Sequence, residues 1–283
     1  MSALVLDGKE VASIVKQEVA DAVAGLDFKP GLATVLVGDD PASHAYVRGK
    51  RRDAAEVGIE SFHSEVSADV SQSFVEALVD SLNEDNAVDG ILVQLPLPGD
   101  LDGEAVVQRI DPAKDVDGLH PFSLGQLVLG KPGLRPCTPS GIMRILDHYD
   151  LPVSGKRAVV VGRSFLVGRP LALMMSEKGA DATVSIGHSR TEDLVALTLE
   201  ADILVAATGT PRLIRAGHVK PGAVVIDVGI SRTDDGLVGD VDYESVAKVA
   251  SAITPVPGGV GPMTRAMLLS NTVRAAEARR GIS

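Results

Sequence analysis

Tyr46 and Lys50 place a phenol and an amine on the same face of a predicted helix, one turn apart and close to its start. Pro41 and Ser43 are typical of a helix opening. Gly49 stands between the two reactive side chains, although a glycine inside a helix costs about 1 kcal/mol relative to alanine. That cost indicates close packing or a functional site. An ordinary surface helix, with a half-buried tyrosine and a solvated lysine, remains the alternative.

A second candidate site is the glycine-spaced turn GRSFLVG, residues 162–168, between a predicted strand and a predicted helix. Backbone N–H groups at such a helix start bind the pyrophosphate of a dinucleotide, although this spacing is not the GxGxxG pattern. An NAD site normally carries an acidic residue about 20 positions further on, at the end of the second strand. Here that end reads SIGHSRT, residues 185–191, without an acid. A tight strand-to-helix connection without a ligand remains the alternative.

In place of an acidic residue, hydrogen-bond donors and positive charges surround this turn, and they favour NADP over NAD. The residues are Arg163, Ser164, His188, Ser189 and Arg190. They suit the 2′-phosphate of NADP, because a guanidinium group can bind two phosphate oxygens at once. A solvated surface charge is the alternative for Arg190. We therefore predict NADP as the cofactor.

The composition favours a soluble α/β protein with an acidic surface. The chain has 283 residues, 45% of them hydrophobic, which suffices for one large domain or two domains of ordinary size. Aromatic residues make up only 3%, so the core must consist of Val, Leu, Ile and Ala, as in buried parallel strands flanked by helices. The formal net charge of -11 argues against a nucleic-acid or anionic-membrane partner, since those require a basic surface.

Cysteine usage and the N-terminus favour a cytoplasmic protein. The single cysteine, Cys137, excludes an intrachain disulfide and a multi-cysteine zinc or iron–sulfur site. The opening MSALVLDGKEV has too short an apolar run for a signal peptide, and no run approaches the length of a membrane span. Neither DVDG nor any histidine pair has metal-ligand spacing, so we expect no metal.

Predicted strands and helices alternate along the chain, which indicates βαβ units and parallel sheets. The patterns predict a helix over residues 9–24, strands in LATVLVG, IESFHSEV and VDGILVQLPLP, and helices opening at Pro41 and Ser71. AVVVG, residues 183–186, ADILVAATG and GAVVIDVG supply later strands, and a long amphipathic helix closes the chain. Ligands of such sheets gather beyond the carboxyl ends of the strands, where both the Tyr46/Lys50 helix start and Gln94 would lie.

The glycine- and proline-rich stretch from Leu124 to Pro139 reads as loop, with a helix opening at Thr138 and Pro139. We place the domain boundary here. The predicted domains are residues 1–139 plus 263–283, a substrate-binding and catalytic domain, and residues 140–262, a Rossmann-like NADP domain.

Six segments in order resemble the methylenetetrahydrofolate dehydrogenase/cyclohydrolase family of bifunctional folate enzymes. They are VGDDPASHAYVRGK, GILVQLPLP, DPAKDVDG, RPCTPSG, GRSFLVGRP and TPVPGGVGPMT. The resemblance runs almost from end to end, which makes it more specific than any single motif. It implies two α/β domains with the folate site in the cleft between them, a C-terminal helix that packs on the N-terminal domain, and a homodimer.

The resemblance also implies roles for individual residues. Lys50 matches the catalytic lysine, Tyr46 the tyrosine that packs on the folate, Gln94 the glutamine bonded to the lysine, and Asp117 the aspartate that anchors the pterin. These roles make physical sense: a carboxylate pairs with the donor edge of an aminopyrimidinone, and a lysine beside a neutral amide can act as a base. Further implied substrate contacts are Ser43, Pro257 and Gly259, and further implied cofactor contacts are Gly162, Val167, Gly168, Thr208, Gly209 and Ile230.

The implied reaction has two steps. 5,10-Methylenetetrahydrofolate is oxidised with NADP+ to the methenyl form, which is then hydrolysed to 10-formyltetrahydrofolate. Phe165, Leu166 and Gly187 are small departures from the family pattern, and they bear on cofactor preference. The alternatives are another two-domain NADP-dependent dehydrogenase of the shikimate type and a catalytically silent nucleotide-binding protein; neither would require the set formed by Tyr46, Lys50, Gln94 and Asp117.

Several neighbouring residues have structural interpretations. Asp115 is typical of a turn cap, and Cys137, which has no adjacent histidine to lower its pKa, is expected to be structural. The basic residues Arg48, Arg51 and Arg52 either meet the glutamate tail of a folate or form a solvated helix face.

Overall fold

The computed structural model describes residues 3–234 and 236–282, which form two compact units. Unit 1 comprises the described residues up to Ala12 together with Thr138–Thr264, and unit 2 comprises Ser13–Cys137 together with the described residues from Arg265. Strands alternate with helices in both, which confirms the predicted α/β class. Within the described ranges, no helix combines the length and the apolar character needed to cross a membrane.

The strands in chain order are β1 Leu4–Val5, β2 Gly31–Val37, β3 Glu60–Val66, β4 Gly90–Val93, β5 Arg157–Val161, β6 Thr183–Gly187, β7 Ile203–Ala206, β8 Val224–Asp227, β9 Ser231–Thr233, β10 Gly236–Val238 and β11 Ala252–Ile253. The helices are α1 Gly8–Ala24, α2 Pro41–Glu56, α3 Gln72–Glu84, α4 Gly103–Arg109, α5 Pro121–Val128, α6 Cys137–His148, α7 Gly168–Ser176, α8 Leu194–Leu199, α9 Tyr243–Val246 and α10 Val260–Arg279. Each predicted helix and strand corresponds to one of these elements.

Unit 2 is built on a three-stranded parallel sheet in the order β3-β2-β4. Every residue of β2 is buried, because this central strand is covered on both faces. Its run LATVLV therefore does not alternate between apolar and polar residues. The parallel arrangement brings the carboxyl ends of β2 and β4 to the same edge, from which α2 and Gln94 follow.

Unit 1 contains a six-stranded sheet in the order β1-β11-β8-β7-β5-β6, with every neighbouring pair parallel. Leu4 pairs with Ala252, and Val5 with Ile253. This pairing places the described residues before Ser13 in unit 1, whereas the predicted domains put residues 1–139 together. A two-residue strand is too short to produce a hydrophobic pattern in the sequence.

The interpretation of residues 124–139 as loop more than element missed a helix in its first part, whereas the helix predicted to open at Thr138 and Pro139 is present. α5 extends to Val128, and α6 already begins at Cys137. The His120 side chain accepts a hydrogen bond from Phe122 N at 2.9 Å and so caps α5, with Pro121 in its first turn. The glycines and prolines that suggested a loop lie mainly after this helix.

The part of α10 from Arg265 onward belongs to unit 2. Its far end is anchored by Asp89, which is fully buried. Asp89 Oδ1 lies 2.7 Å from Arg279 Nη1 and 2.5 Å from Arg280 Nη1, while Asp89 Oδ2 accepts a hydrogen bond from Gly31 N at 3.0 Å. One carboxylate therefore joins the helix to the central strand.

We expect Asp89→Ala to lower the free energy of unfolding by about 3–5 kcal/mol, since it leaves two guanidinium groups without their buried partner. Urea denaturation followed by circular dichroism measures this loss. Asp80→Ala is the matched control, because it removes an exposed carboxylate that pairs with Arg109 at 2.7 Å and should barely move the midpoint. Equal midpoints for the two variants would contradict the anchoring role of Asp89.

Candidate active site

The start of α2 positions the first two candidate residues. Asp40 caps the helix by accepting a hydrogen bond from Ser43 N at 2.8 Å, and Pro41 occupies the first turn. Ser43 is buried at this opening, where its backbone is held by the cap. Tyr46 and Lys50 follow on one face, with the Lys50 amine 5.8 Å from the centre of the Tyr46 ring.

Lys50 is only 7% exposed, and its amine donates a hydrogen bond to Gln94 Oε1 at 3.0 Å. Gln94 directly follows β4 and continues the sheet through a hydrogen bond from its backbone N–H to Val35 O at 2.9 Å. Its side-chain nitrogen donates to Leu95 O at 2.8 Å. Since that bond requires the amide nitrogen as donor, the amide oxygen faces the lysine. The structure thus brings the predicted lysine and glutamine together.

Burial lowers the pKa of Lys50, because the charged amine loses its water shell. The nearby Arg265 charge acts in the same direction, whereas Asp117 and Cys137 oppose it. Gln94 is neutral and adds no charge to the site. The surroundings of the lysine therefore favour the uncharged amine, which can accept a proton.

Asp115 and Asp117 have different environments although they are two residues apart. Asp115 is 1% exposed and accepts hydrogen bonds from Leu119 N, His120 N and Ser123 Oγ at 3.2, 2.8 and 2.7 Å. This confirms its interpretation as a turn cap. Burial raises the pKa of the Asp117 carboxyl, although the Lys50 charge opposes that shift. The contact of Asp117 with the pterin stays a prediction.

The sequence analysis did not identify Arg265, a charged residue that lies beside α2. Its Nε lies 3.0 Å from Asp53 Oδ2, and Asp53 is 2% exposed. A Cβ atom at Gly49 would overlap the guanidinium group of Arg265. The glycine between Tyr46 and Lys50 thus makes room for an arginine, which is the close packing that its cost indicated. The helix-breaking cost of Gly49 was the one available signal.

Cys137 is structural, as predicted. Its thiol is 1% exposed and donates to Val116 O at 3.2 Å. Burial raises the pKa of this thiol well above its usual value, so it remains protonated. Asn271, also buried, donates to Val116 O and Arg135 O at 2.9 Å each, and so fixes the segments that flank the site loop.

The remaining basic residues of α2 face outward. Arg48, Arg51 and Arg52 are exposed, and Arg52 Nε lies 3.6 Å from Glu56 Oε1. The solvated-face interpretation therefore describes Arg52, and a contact of Arg48 or Arg51 with a folate tail stays a prediction.

The predicted cofactor residues lie beyond the carboxyl ends of neighbouring strands in unit 1. Gly162 N donates to Gly187 O at 2.9 Å and Ala207 N donates to Val161 O at 2.8 Å, so three strand ends are aligned. The turn after β5 carries Gly162, Arg163, Ser164, Val167 and Gly168; the segment after β6 carries His188, Ser189 and Arg190; and the segment after β7 carries Thr208 and Gly209. Ile230 follows β8 and is exposed.

The turn after β5 is packed as a dinucleotide turn requires. A Cβ at Gly162, whose φ is +130°, would overlap Ala207 O, and a Cβ at Gly168 would overlap Gly162 O. Ser164 Oγ accepts a hydrogen bond from Val167 N at 3.2 Å and closes the turn before α7. Arg163 is exposed beside it. The fit to an NADP phosphate is therefore good: free donors, positive charge and a helix start occur together.

Asp240 fixes the segment after β7 and was missed by sequence reasoning. One oxygen of this fully buried carboxylate accepts hydrogen bonds from Thr208 Oγ1 and Gly209 N at 3.0 and 2.9 Å. Asp227 in turn accepts from Asp240 N at 2.9 Å. Burial raises the pKa of Asp227 to about 7. Two buried aspartates thus hold the backbone of this predicted cofactor segment.

Pro257 and Gly259 lie in unit 1, in the segment between β11 and α10. A cis peptide bond precedes Pro257, and Gly259 N donates to Pro255 O at 2.8 Å. The segment is therefore a tight turn. The predicted contacts of both residues with substrate stay predictions.

Comparisons with known proteins agree with this geometry. The catalytic domain of the tetrahydrofolate dehydrogenase/cyclohydrolase family matches residues 6–117, and the NAD(P)-binding domain of that family matches residues 136–280. The bifunctional protein FolD 2 of Frankia casuarinae is 58% identical over 285 residues, which cover 99% of this chain and 98% of the relative.

Solved structures extend the likeness to three dimensions. The bifunctional FolD methylenetetrahydrofolate dehydrogenase/cyclohydrolase of Campylobacter jejuni is 45% identical with a TM-score of 0.95, over 98% of this chain and 100% of that chain. The FolD enzyme of Trypanosoma brucei, solved with NADP cofactor and an inhibitor, is 40% identical with a TM-score of 0.93, over 99% of each chain.

A shikimate 5-dehydrogenase of Thermus thermophilus is only 16% identical, with a TM-score of 0.52 over 87% of this chain and 99% of that chain. That likeness shows a shared fold alone and gives no support to the shikimate alternative. The two family domains cover most of the chain, and the relatives align over almost its whole length. The chain therefore belongs to the tetrahydrofolate dehydrogenase/cyclohydrolase family.

Proposed function

We propose that this protein oxidises 5,10-methylenetetrahydrofolate with NADP+ and hydrolyses the resulting methenyl compound to 10-formyltetrahydrofolate. The observation that carries the proposal is the buried Lys50 amine, 3.0 Å from the neutral Gln94 amide and beside the Tyr46 ring. The relatives of this protein in the family are bifunctional enzymes of this kind. The two activities need one folate site and one dinucleotide site, and both sets of residues are present.

Lys50 moves protons in the hydrolytic step. The methenyl carbon carries positive charge, so water adds to it once a base removes a proton from the attacking oxygen. A neutral amine can accept that proton, and the resulting ammonium can then protonate the ring nitrogen as its bond to the one-carbon unit breaks. The hydroxyl of the adduct loses its proton to solvent as the formyl C=O bond forms. Gln94 holds the amine in place through both transfers, because its oxygen can accept a hydrogen bond from either form.

Tyr46 and Asp117 orient the substrate. Burial raises the pKa of Tyr46, so the ring remains a neutral phenol and offers a flat apolar face to the folate. The Asp117 carboxylate accepts hydrogen bonds from the N–H groups of the pterin. Those donors stabilise its charged form, which burial alone disfavours. Substrate binding and ionisation of Asp117 therefore support each other.

NADP is held by the residues beyond the strand ends of unit 1. Backbone N–H groups at the start of α7 face the pyrophosphate, while Arg163 and Arg190 bind the 2′-phosphate. When bound, NADP+ accepts the hydride from the one-carbon bridge. Asp240 keeps the backbone of Thr208 and Gly209 fixed at the neighbouring strand end.

We expect Arg163→Ala or Arg190→Ala to raise the KM for NADP at least about tenfold, as loss of a charge-assisted hydrogen bond costs about 1.5–3 kcal/mol. The KM for NAD, which lacks the 2′-phosphate, should change little. Steady-state dehydrogenase kinetics with each cofactor measure both values, and Arg157→Ala, an exposed arginine paired with Glu200 on the same sheet, is the control. Equal increases for the two cofactors would remove the 2′-phosphate role.

An absorbance assay tests the function as a whole. Purified protein with 5,10-methylenetetrahydrofolate should reduce NADP+, and added methenyltetrahydrofolate should lose its absorbance faster than in buffer alone. Reduction of NADP+ with shikimate and none with the folate would overturn the proposal. Absence of both reactions in a protein that still binds NADP would favour a silent nucleotide-binding protein.

We also propose that the protein is a cytoplasmic homodimer. The dimer follows from the resemblance to the folate enzymes, and the single cysteine, which is free and buried, fits a reducing compartment. Light scattering at micromolar concentration should give twice the mass of 29.4 kDa. A monomer mass at that concentration would contradict the dimer.

A further inference from the structure

Lys50 shares its helix with a buried carboxylate, Asp53, which follows it by three residues on α2. Asp53 is 2% exposed, and a buried carboxylate needs a cationic partner. That partner is a positive charge held close to the turn that carries Lys50.

Arg265 is that partner. It is the first α10 residue of unit 2, and its Nε lies 3.0 Å from Asp53 Oδ2. Lys16 and Arg52 are further from the carboxylate, at 3.7 and 3.5 Å from Asp53 Oδ1. The arginine therefore makes the shortest ion pair with Asp53.

Gly49 permits this placement of the arginine. Its missing side chain leaves the space that the end of the Arg265 guanidinium fills, directly beside the residue that precedes Lys50. A fixed positive charge thus lies next to the turn that carries the lysine. Since like charges repel, that position disfavours the ammonium form of Lys50.

We propose that Arg265 is a positioning residue for the cyclohydrolase step: held by Asp53 and seated in the space at Gly49, it places a fixed positive charge near Lys50 and so disfavours the ammonium form of that base. The proposal rests on the proposed role of Lys50 as the base. Arg265 itself touches no reacting atom.

The other charged or titratable groups around Lys50 come from separate elements. Tyr46 lies on the same helix, Asp117 precedes α5, and Cys137 begins α6. Burial is the main cause of the lowered Lys50 pKa, with Arg265 acting in the same direction and Asp117 and Cys137 opposing it. Removal of Arg265 leaves the Asp117 charge without this opposing charge, while Lys16 and Arg52 still pair with Asp53.

The test is the pH dependence of cyclohydrolase kcat/KM in Arg265→Met, after subtraction of the uncatalysed rate. Its acidic limb reports loss of the proton from Lys50 and should move about one pH unit upward, the size of effect that a nearby charge produces. At pH values below the limb the variant should be about tenfold slower, and it should approach the parent rate on the alkaline plateau. A merely structural defect lowers the rate at every pH and leaves the limb in place.

Companion variants separate the possible outcomes. Arg265→Lys keeps the charge and should restore most of the parent profile, and Arg274→Met, an exposed arginine of α10, should leave it unchanged. If Arg265→Met does not fold, the double variant Asp53→Asn/Arg265→Met removes the carboxylate that has lost its nearest partner and should still shift the limb upward, and Gly49→Ala displaces the guanidinium without removing a charge. Gly49→Ala should shift the limb upward by a smaller amount.

An unchanged limb in a folded Arg265→Met and in Gly49→Ala would overturn this inference. If Lys50→Met abolishes hydrolysis while the limb stays in place, only the role of Arg265 fails. If Lys50→Met retains hydrolysis, the proposed role of Lys50 fails first, and the two failures are distinguishable.

Discussion

Lys50→Met should lose cyclohydrolase activity by about 10²–10⁴-fold, the range that positioned proton transfer contributes. Methionine fills a similar volume in a site that is only 7% exposed, but it can neither accept nor donate the proton. Hydride transfer needs no proton from this residue, so dehydrogenase activity should fall much less. The variant should also bind NADP normally, because the predicted cofactor residues lie in unit 1 and Lys50 lies in unit 2.

Steady-state assays of both activities on one preparation measure this difference, and fluorescence titration gives the Kd for NADP. Arg51→Met is the control, since it removes an exposed charge from the next position of the same helix and should keep both activities. Full retention of cyclohydrolase activity by Lys50→Met would refute the assignment. Equal loss of both activities would indicate that the lysine mainly positions the substrate.

Burial alone does not identify Lys50 as the base, as Lys114 shows. Lys114 is 1% exposed, and its amine donates to Leu82 O, Asn83 O and Asp85 O at 2.9, 2.7 and 2.8 Å. Burial lowers the pKa of this amine as well, but its three carbonyl acceptors leave no position for a substrate, which suits a structural role. Within the described residues, the Lys50 amine has a single hydrogen bond, to Gln94. It therefore retains positions for water or substrate.

The contact between Lys50 and Gln94 was predictable because regular secondary structure determines the positions of both residues. Helical spacing placed Tyr46 and Lys50 on one face, and the parallel order of strands placed Gln94 at the same sheet edge as α2. The roles of these residues came from the resemblance, which the spacing alone did not supply. The cofactor residues were predictable in the same way, as segments that follow adjacent parallel strands.

The contacts that sequence reasoning missed join residues far apart in the chain without a periodic signal. Arg265 reaches Asp53, and Asp240 reaches Thr208, through single side-chain contacts that depend on the final packing. Gly49 did give a local signal, but a missing Cβ does not reveal which distant group fills the space. β1 escaped prediction for a simpler reason, since two residues carry no pattern.

Asp117→Asn should lower kcat/KM for both activities about 30- to 1,000-fold, which corresponds to about 2–4 kcal/mol of lost substrate interaction. The amide has one acceptor oxygen in place of two, and its NH₂ group faces donors if the pterin binds as proposed. The loss should appear mainly as a higher KM for the folate, with an unchanged Kd for NADP. Asp115→Asn is the contrasting variant: Asp115 caps a buried turn, so its replacement should lower thermal stability before it changes the folate KM.

The pH profile of Asp117→Asn gives a second and independent check. The Asp117 charge raises the pKa of Lys50, so its removal should lower that pKa and move the acidic limb of cyclohydrolase kcat/KM to lower pH. Arg265→Met should move the same limb to higher pH, because the arginine charge acts in the opposite sense. A steric defect common to both variants would not shift their acidic limbs in opposite directions. Shifts of the two limbs in the same direction would therefore exclude Lys50 as the group that titrates.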